Sequence, residues 1–145
     1  MQPFEILDIT GDAGIRAFGT DLEELFVNAA AGLYHLIAGS SPVRETRTVE
    51  LTVTGSSLES LLVSWLNELV FQFDTYGFLG KGIVIREFPS LGAQEEGLRM
   101  RAEVRGEDFD QARHGRGLLV KAATYHRLKI EKTGGMYTAE IILDI

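Results

Sequence analysis

Hydrophobic residues recur at two different periods along this chain, and the switches between them mark its elements. After Gly19, Leu22, Leu25, Phe26, Ala29, Leu33 and Leu36 fall at helical spacing. Thr20-Asp21-Leu22-Glu23 reads as a capping box ahead of them, with the Thr20 hydroxyl accepting from an orphan amide while Glu23 reaches back. Gly39 and Pro42 end the helix, and His35 near its C-terminus is expected at the surface or as a cap. Residues 48–54 then alternate, with Val49, Leu51 and Val53 on one side of a half-buried strand. Gly55 closes it, and Ser56-Ser57-Leu58-Glu59 offers a second capping box. Leu58, Leu61, Leu62, Trp65, Leu66, Leu69, Val70 and Phe73 form the second helical stripe, and Trp65 inside it is expected in the core.

The rest of the chain has the strand period. Residues 82–88 form one strand. Leu98, Met100, Ala102 and Val104 alternate with Arg99, Arg101, Glu103 and Arg105 to form another, whose charged side is expected to be a solvated face. A polar stretch, 107–117, connects it to a final pair. Residues 124–131 and 137–143 flank Lys132-Thr133-Gly134-Gly135, a hairpin turn, and place Thr124 and His126 on the side of Leu128 and Ile130. Two amphipathic helices and about five to seven strands, mostly joined by hairpins, predict an α+β two-layer sandwich, with helices packed on a mostly antiparallel sheet. A doubly wound fold would need helices alternating with continuous apolar strands, and the C-terminal half has none.

Composition narrows the picture. The 145 residues suit one domain over 1–145 and contain no cysteine, so disulfides, thiol nucleophiles and thiolate metal sites are excluded. The 21 acidic residues outnumber the 14 basic ones, a formal charge of −7. That balance disfavours holding a phosphate backbone, so no direct nucleic-acid binding is expected. No apolar run reaches membrane-span length, and the first residues do not read as a signal peptide, so a cytoplasmic protein is expected. Gly80-Lys81 lacks the Ser or Thr and the first Gly of a phosphate loop, and H-E-x-x-H and G-x-S-x-G are absent.

Three constellations remain. Asp8 and Asp12 bracket a glycine-bearing turn, Asp8-Ile9-Thr10-Gly11-Asp12, of the kind that gathers oxygen ligands for a hard cation. Asp144 and the carboxylate of Ile145 follow the apolar run Ile141-Ile142-Leu143. If these segments meet, their acidic groups repel unless a proton or a cation intervenes. The third is Lys121-Ala122-Ala123-Thr124-Tyr125-His126, entering a strand. An autonomous enzyme using His126, Lys121 and Asp12 as acid–base groups lacks a nucleophile motif.

In order and spacing, these segments resemble the archease family. The carriers are Gly14-Ile15-Arg16-Ala17-Phe18-Gly19 after the Asp12 turn, the helices around Leu25-Phe26 and Trp65-Leu66, the Lys121–His126 segment and the ending Leu143-Asp144-Ile145. The resemblance implies an accessory protein, not an enzyme, that promotes guanylylation and multiple turnover of an RtcB-type RNA-splicing ligase acting in tRNA splicing. It implies a divalent-metal site (calcium, magnesium or manganese) at Asp12, Asp144 and the Ile145 carboxylate, with Lys121 as a further ligase-activating candidate. Ile9 departs from the family's usual histidine and can neither ligate a metal nor donate a hydrogen bond from its side chain. The alternative reading is a general protein-binding or chaperone-like module in which the acidic cluster is incidental. Oligomeric state is not legible, although edge strands permit self-association.

Overall fold

The computed structural model describes residues 2–90, 97–115 and 117–145. The chain opens with a hairpin, β1 (Phe4–Ile9) and β2 (Asp12–Gly19), and continues with α1 (Leu22–Ala38), β3 (Arg47–Gly55) and α2 (Leu58–Tyr76). Then come β4 (Phe78–Glu87), β5 (Leu98–Asp108), β6 (Ala122–Ala123), β7 (Ile130–Thr133) and β8 (Met136–Asp144). All pairings among the described residues are antiparallel. The fold is the expected α+β arrangement of two helices on antiparallel sheet, but the strands divide into two sheets. Sheet A runs β1-β2-β8-β6, with β7 also on β8, and sheet B runs β3-β5-β4.

Both helices begin one residue later than their predicted caps. Asp21, not Thr20, caps α1 by accepting from the Glu24 amide, and Glu24 reaches back to the Thr20 amide at 2.9 Å. The capping box is therefore Asp21–Glu24, which puts Leu22 inside the helix, where its side chain is buried. Ser57 caps α2 by accepting from Ser60. Glu59 instead accepts from the Ile130 amide at 3.1 Å, tying the start of α2 to β7. Gly39 and Gly77 end the two helices at positive φ, the conformation glycine tolerates best.

The apolar stripes of α1 and α2 meet the inner faces of the sheets in one buried cluster. Trp65 is fully buried, as expected, and its Nε1 donates to the Phe26 carbonyl at 3.0 Å, stitching α2 to α1. Leu51 and Val53 are buried on β3, with Val49 half-buried beside them. Arg101 of β5 pairs with Glu50 and Glu87, and Arg105 with Glu103, so that strand's charged face is a solvated ion-pair surface.

The predicted strand 124–131 does not form as one piece. Ala123 pairs with Leu143, whereas Ile130 pairs with Ala139. A straight continuation would put residue 127 opposite Ala139, so three residues are looped out between β6 and β7. Arg127 takes φ 56° in that excursion, Leu128 donates to the Tyr125 carbonyl, and His126 is exposed. Alternation alone does not reveal such a shift, because the residues after the break resume the same period. The closing hairpin forms as expected around Gly134 and Gly135, both at positive φ, which suits a type I′ turn.

Candidate functional site

The β1–β2 hairpin turns through Thr10 and Gly11, with Ile9 opposite Asp12 and Gly11 at φ 80°. β2 then pairs with β8 from Ala13 opposite Leu143. Asp12 precedes that pair on one strand and Asp144 follows it on the other, so the fold brings both to the same end of sheet A. Alternation sets the face. Ala13, Ile15, Ala17, Ala139, Ile141 and Leu143 are buried on the inner side, while Arg16 and Glu140 face outward. Asp12 and Asp144 are in phase with Arg16 and Glu140, hence on the outer face. Both are exposed, and neither side chain has a hydrogen-bond or ion-pair partner among the described residues.

The other predicted residues scatter around this pair. Asp8 lies opposite Ala13, so its side chain belongs to the inner side of β1, away from Asp12, although it too is exposed. The expected bracketing of one site by Asp8 and Asp12 does not occur. The Lys121 amide donates to the Asp144 carbonyl at 2.8 Å, and its exposed side chain forms no ion pair among the described residues. Ile145 follows Asp144 and is 37% exposed. Among the described residues no group of three or more His, Cys, Asp or Glu side chains is placed to hold a metal. The side-chain donors are therefore a pair of carboxylates. They suit a hard divalent cation in kind and fill only part of its six to eight oxygen positions, the remainder falling to backbone, water or a partner.

Cavities of the fold lie elsewhere. One of about 250 Å³ opens between the end of α1 and Leu79–Lys81, and one of about 470 Å³ between β3 and α2. Neither is lined by Asp12 or Asp144, which are exposed at the surface.

A second polar cluster escaped the sequence reading. Glu107 accepts two bonds from the Arg113 guanidinium, at 2.6 and 3.0 Å, and one from the Arg44 amide at 2.6 Å. His114 Nδ1 accepts from the Asp110 amide at 2.8 Å, so the ring proton sits on Nε2, 3.0 Å from Glu107. Arg113 first, and then the Arg44 amide, hold the Glu107 carboxyl down at about 2. Glu107 and His114 are both buried. The cluster pins 109–115 against the segment after α1; Arg116, within the predicted connector 107–117, lies outside the described residues. Its residues all fall in that connector or just after α1, and only the Asp110-to-His114 spacing hinted at a closed turn.

Comparison with known proteins decides the family. The model of the Archease protein family matches residues 4–145. The chain belongs to the archease family. Archease from Sulfurisphaera tokodaii is 34% identical over 145 residues, with 100% of both chains covered. Archease from Methanopyrus kandleri is 35% identical, covering 99% of this chain and 100% of that one. The solution structure of Methanobacterium thermoautotrophicum protein 1598 superposes with a TM-score of 0.84 at 34% identity, covering 100% of both chains. The crystal structure of a Thermotoga maritima archease, described as a possible chaperone, shares the fold with a TM-score of 0.62 at 18% identity, covering 97% of this chain and 96% of that one. No helix among the described residues is long and apolar enough to cross a membrane.

Proposed function

We propose that this archease activates an RtcB-type RNA-splicing ligase, promoting its guanylylation and multiple turnover without making bonds itself. The observation that carries the reading is the pair Asp12 and Asp144, two outward carboxylates at one strand end with no ion-pair partner among the described residues. Asp12 and Asp144, with the Ile145 carboxylate, would hold a divalent ion. When bound, that ion neutralises charge developing on phosphoryl oxygens during nucleotidyl transfer. The chain's part is to present these carboxylates at one strand end and leave the other positions open. Lys121, tied through its amide to the Asp144 carbonyl, is the further candidate for acting on the ligase. The net charge of −7 fits a protein that reaches RNA chemistry through an enzyme and does not grip RNA itself.

Asp12→Ala and Asp144→Ala test this against the cognate ligase. Stimulated turnover is expected to fall at least about tenfold in each, with melting temperature unchanged. Unchanged stimulation in both variants overturns the reading. A chaperone-like module is the second reading, favoured by the exposed Leu119, Tyr125 and Tyr76. It predicts suppressed aggregation of unrelated clients, indifferent to Asp12→Ala.

A further inference from the structure

The cavity of about 250 Å³ at the end of α1 stands apart in a chain of net charge −7. Lys81 and His35 line it, and no Asp or Glu among the described residues does. Lys81 reaches it through a break in strand register. Gly80 pairs with Gly106 and Gly82 with Arg105, so Lys81 is the extra residue of a β-bulge on an edge strand of sheet B. Such a bulge re-aims a side chain, here towards the cavity.

A helix C-terminus ordinarily presents unpaired carbonyls and disfavours anions. At the end of α1 the last four carbonyls are already taken. Those of His35, Leu36 and Ile37 accept from the Gly39, Leu118 and Gly117 amides, and that of Ala38 accepts from the Ser41 hydroxyl, at 2.7 to 2.8 Å. The groups left over are donors. The Lys81, His35 and Ser40 side chains have no hydrogen-bond or ion-pair partner among the described residues. Tyr34, 7% exposed, belongs to the wall, with its hydroxyl against Gly80 and without a well-formed hydrogen bond. A Cβ on Gly80 would stand 2.7 Å from that oxygen, so the glycine admits the phenol there. Burial keeps the phenol protonated, hence a donor. Phe4 and Leu79 supply apolar wall between these groups.

We infer that this cavity binds a small carboxylic acid with an apolar body of about one aromatic ring and an oxygen acceptor at its inner end. The carboxylate meets Lys81 and Ser40 at the exposed mouth, the body lies against Phe4 and Leu79, and the inner oxygen accepts from the Tyr34 hydroxyl. A buried donor without an acceptor is costly, and a ligand oxygen offsets that cost. The site lies in a different part of the fold from Asp12 and Asp144 and does not depend on the ligase reading.

The test is a titration of the full chain with 4-acetylbenzoate, followed by amide chemical shifts. Saturable shifts are expected at Phe4 and at residues 34–41 and 79–81, with a Kd of about 1 mM or tighter for a ligand of this size. 4-Acetylbenzamide, without the charge, and 4-ethylbenzoate, without the inner acceptor, should each bind at least about fivefold more weakly. Lys81→Ala should weaken 4-acetylbenzoate about fivefold and leave the benzamide unchanged. Tyr34→Phe should weaken it by a similar factor and leave 4-ethylbenzoate unchanged. Lys81 is exposed and Tyr34→Phe keeps the ring, so both variants retain the fold, as melting curves would confirm. No saturable shift by about 10 mM, shifts scattered outside the cavity, or one affinity for all three compounds overturns the site. Inorganic phosphate moving the same amides as tightly overturns the apolar-bodied acid. A variant that weakens the probe and its matched control equally overturns the contact assigned to that residue, and with it the inference.

Discussion

Two groups of charged residues in this molecule have opposite fates. Glu107, Arg113 and His114 close on themselves: the carboxylate collects a guanidinium, an amide and an imidazole and is shut away from solvent. Asp12 and Asp144 stand outward with no partner among the described residues. A closed network spends its hydrogen-bonding capacity on the fold and has none left for a ligand. An open pair of like charges contributes nothing to folding and retains all of its capacity for a cation. The contrast separates acidity closed into the fold from acidity left open at the surface in a chain with 21 acidic residues.

The strongest way to break this comparison is to exchange readouts. Asp12→Ala or Asp144→Ala should remove about tenfold or more of ligase stimulation while altering stability by no more than about 0.5 kcal/mol, as for ordinary surface sites. A large loss of stability in denaturant titration would mean that the pair is structural after all. Glu107→Ala should do the reverse: it strands Arg113, His114 and the Arg44 amide, and the melting temperature should fall by several degrees. Stimulation per folded molecule should survive, as a turnover assay below the transition would show.

Acid titration gives a subtler contrast. The Glu107 carboxyl is held at about 2 in the folded protein against an ordinary 4.5. Between those values the unfolded chain takes up the proton first, so acidification favours unfolding. The contribution of Glu107 to stability is complete above about 4.5 and is lost as the pH falls towards about 2. Scanning calorimetry across that window should show a melting temperature falling with pH, and a shallower fall in Glu107→Gln.

The smallest effect concerns a third kind of polar group. The Tyr34 hydroxyl is buried beside the Gly80 backbone without a well-formed hydrogen bond among the described residues, and burial, opposed in part by that backbone group, pushes its ionisation upward. Tyr34→Phe removes an unsatisfied group and keeps the ring, so stability should be unchanged or rise by up to about 1 kcal/mol. A clear loss in denaturant titration would show that the hydroxyl is satisfied by something the protein atoms do not supply.

Much of the architecture was legible because it is written locally. The stripes of α1 and α2, the stop at Gly39 and the Gly134-Gly135 turn each rest on residues a few positions apart. Errors arose where neighbours compete. Asp21 displaced Thr20 as the α1 cap, and Ser60 rather than Glu59 completed the start of α2. The opening strands are not legible as strands, because Phe4, Ile6 and Asp8 on one face and Glu5, Leu7 and Ile9 on the other each mix apolar and acidic residues. The Glu107 cluster was invisible because its members converge from β5, a connector and the segment after α1.

For the candidate site the division is sharper. Residue type and family pattern singled out Asp12 and Asp144 from the chain alone, since oxygen-donor chemistry and motif order need no coordinates. Whether two carboxylates share a site depends on strand register, which long-range pairing sets. In a pleated sheet one step along a strand reverses the face of a side chain. Asp8, four residues from Asp12, was therefore turned to the other face, while Asp144, at the far end of the sequence, was brought alongside Asp12.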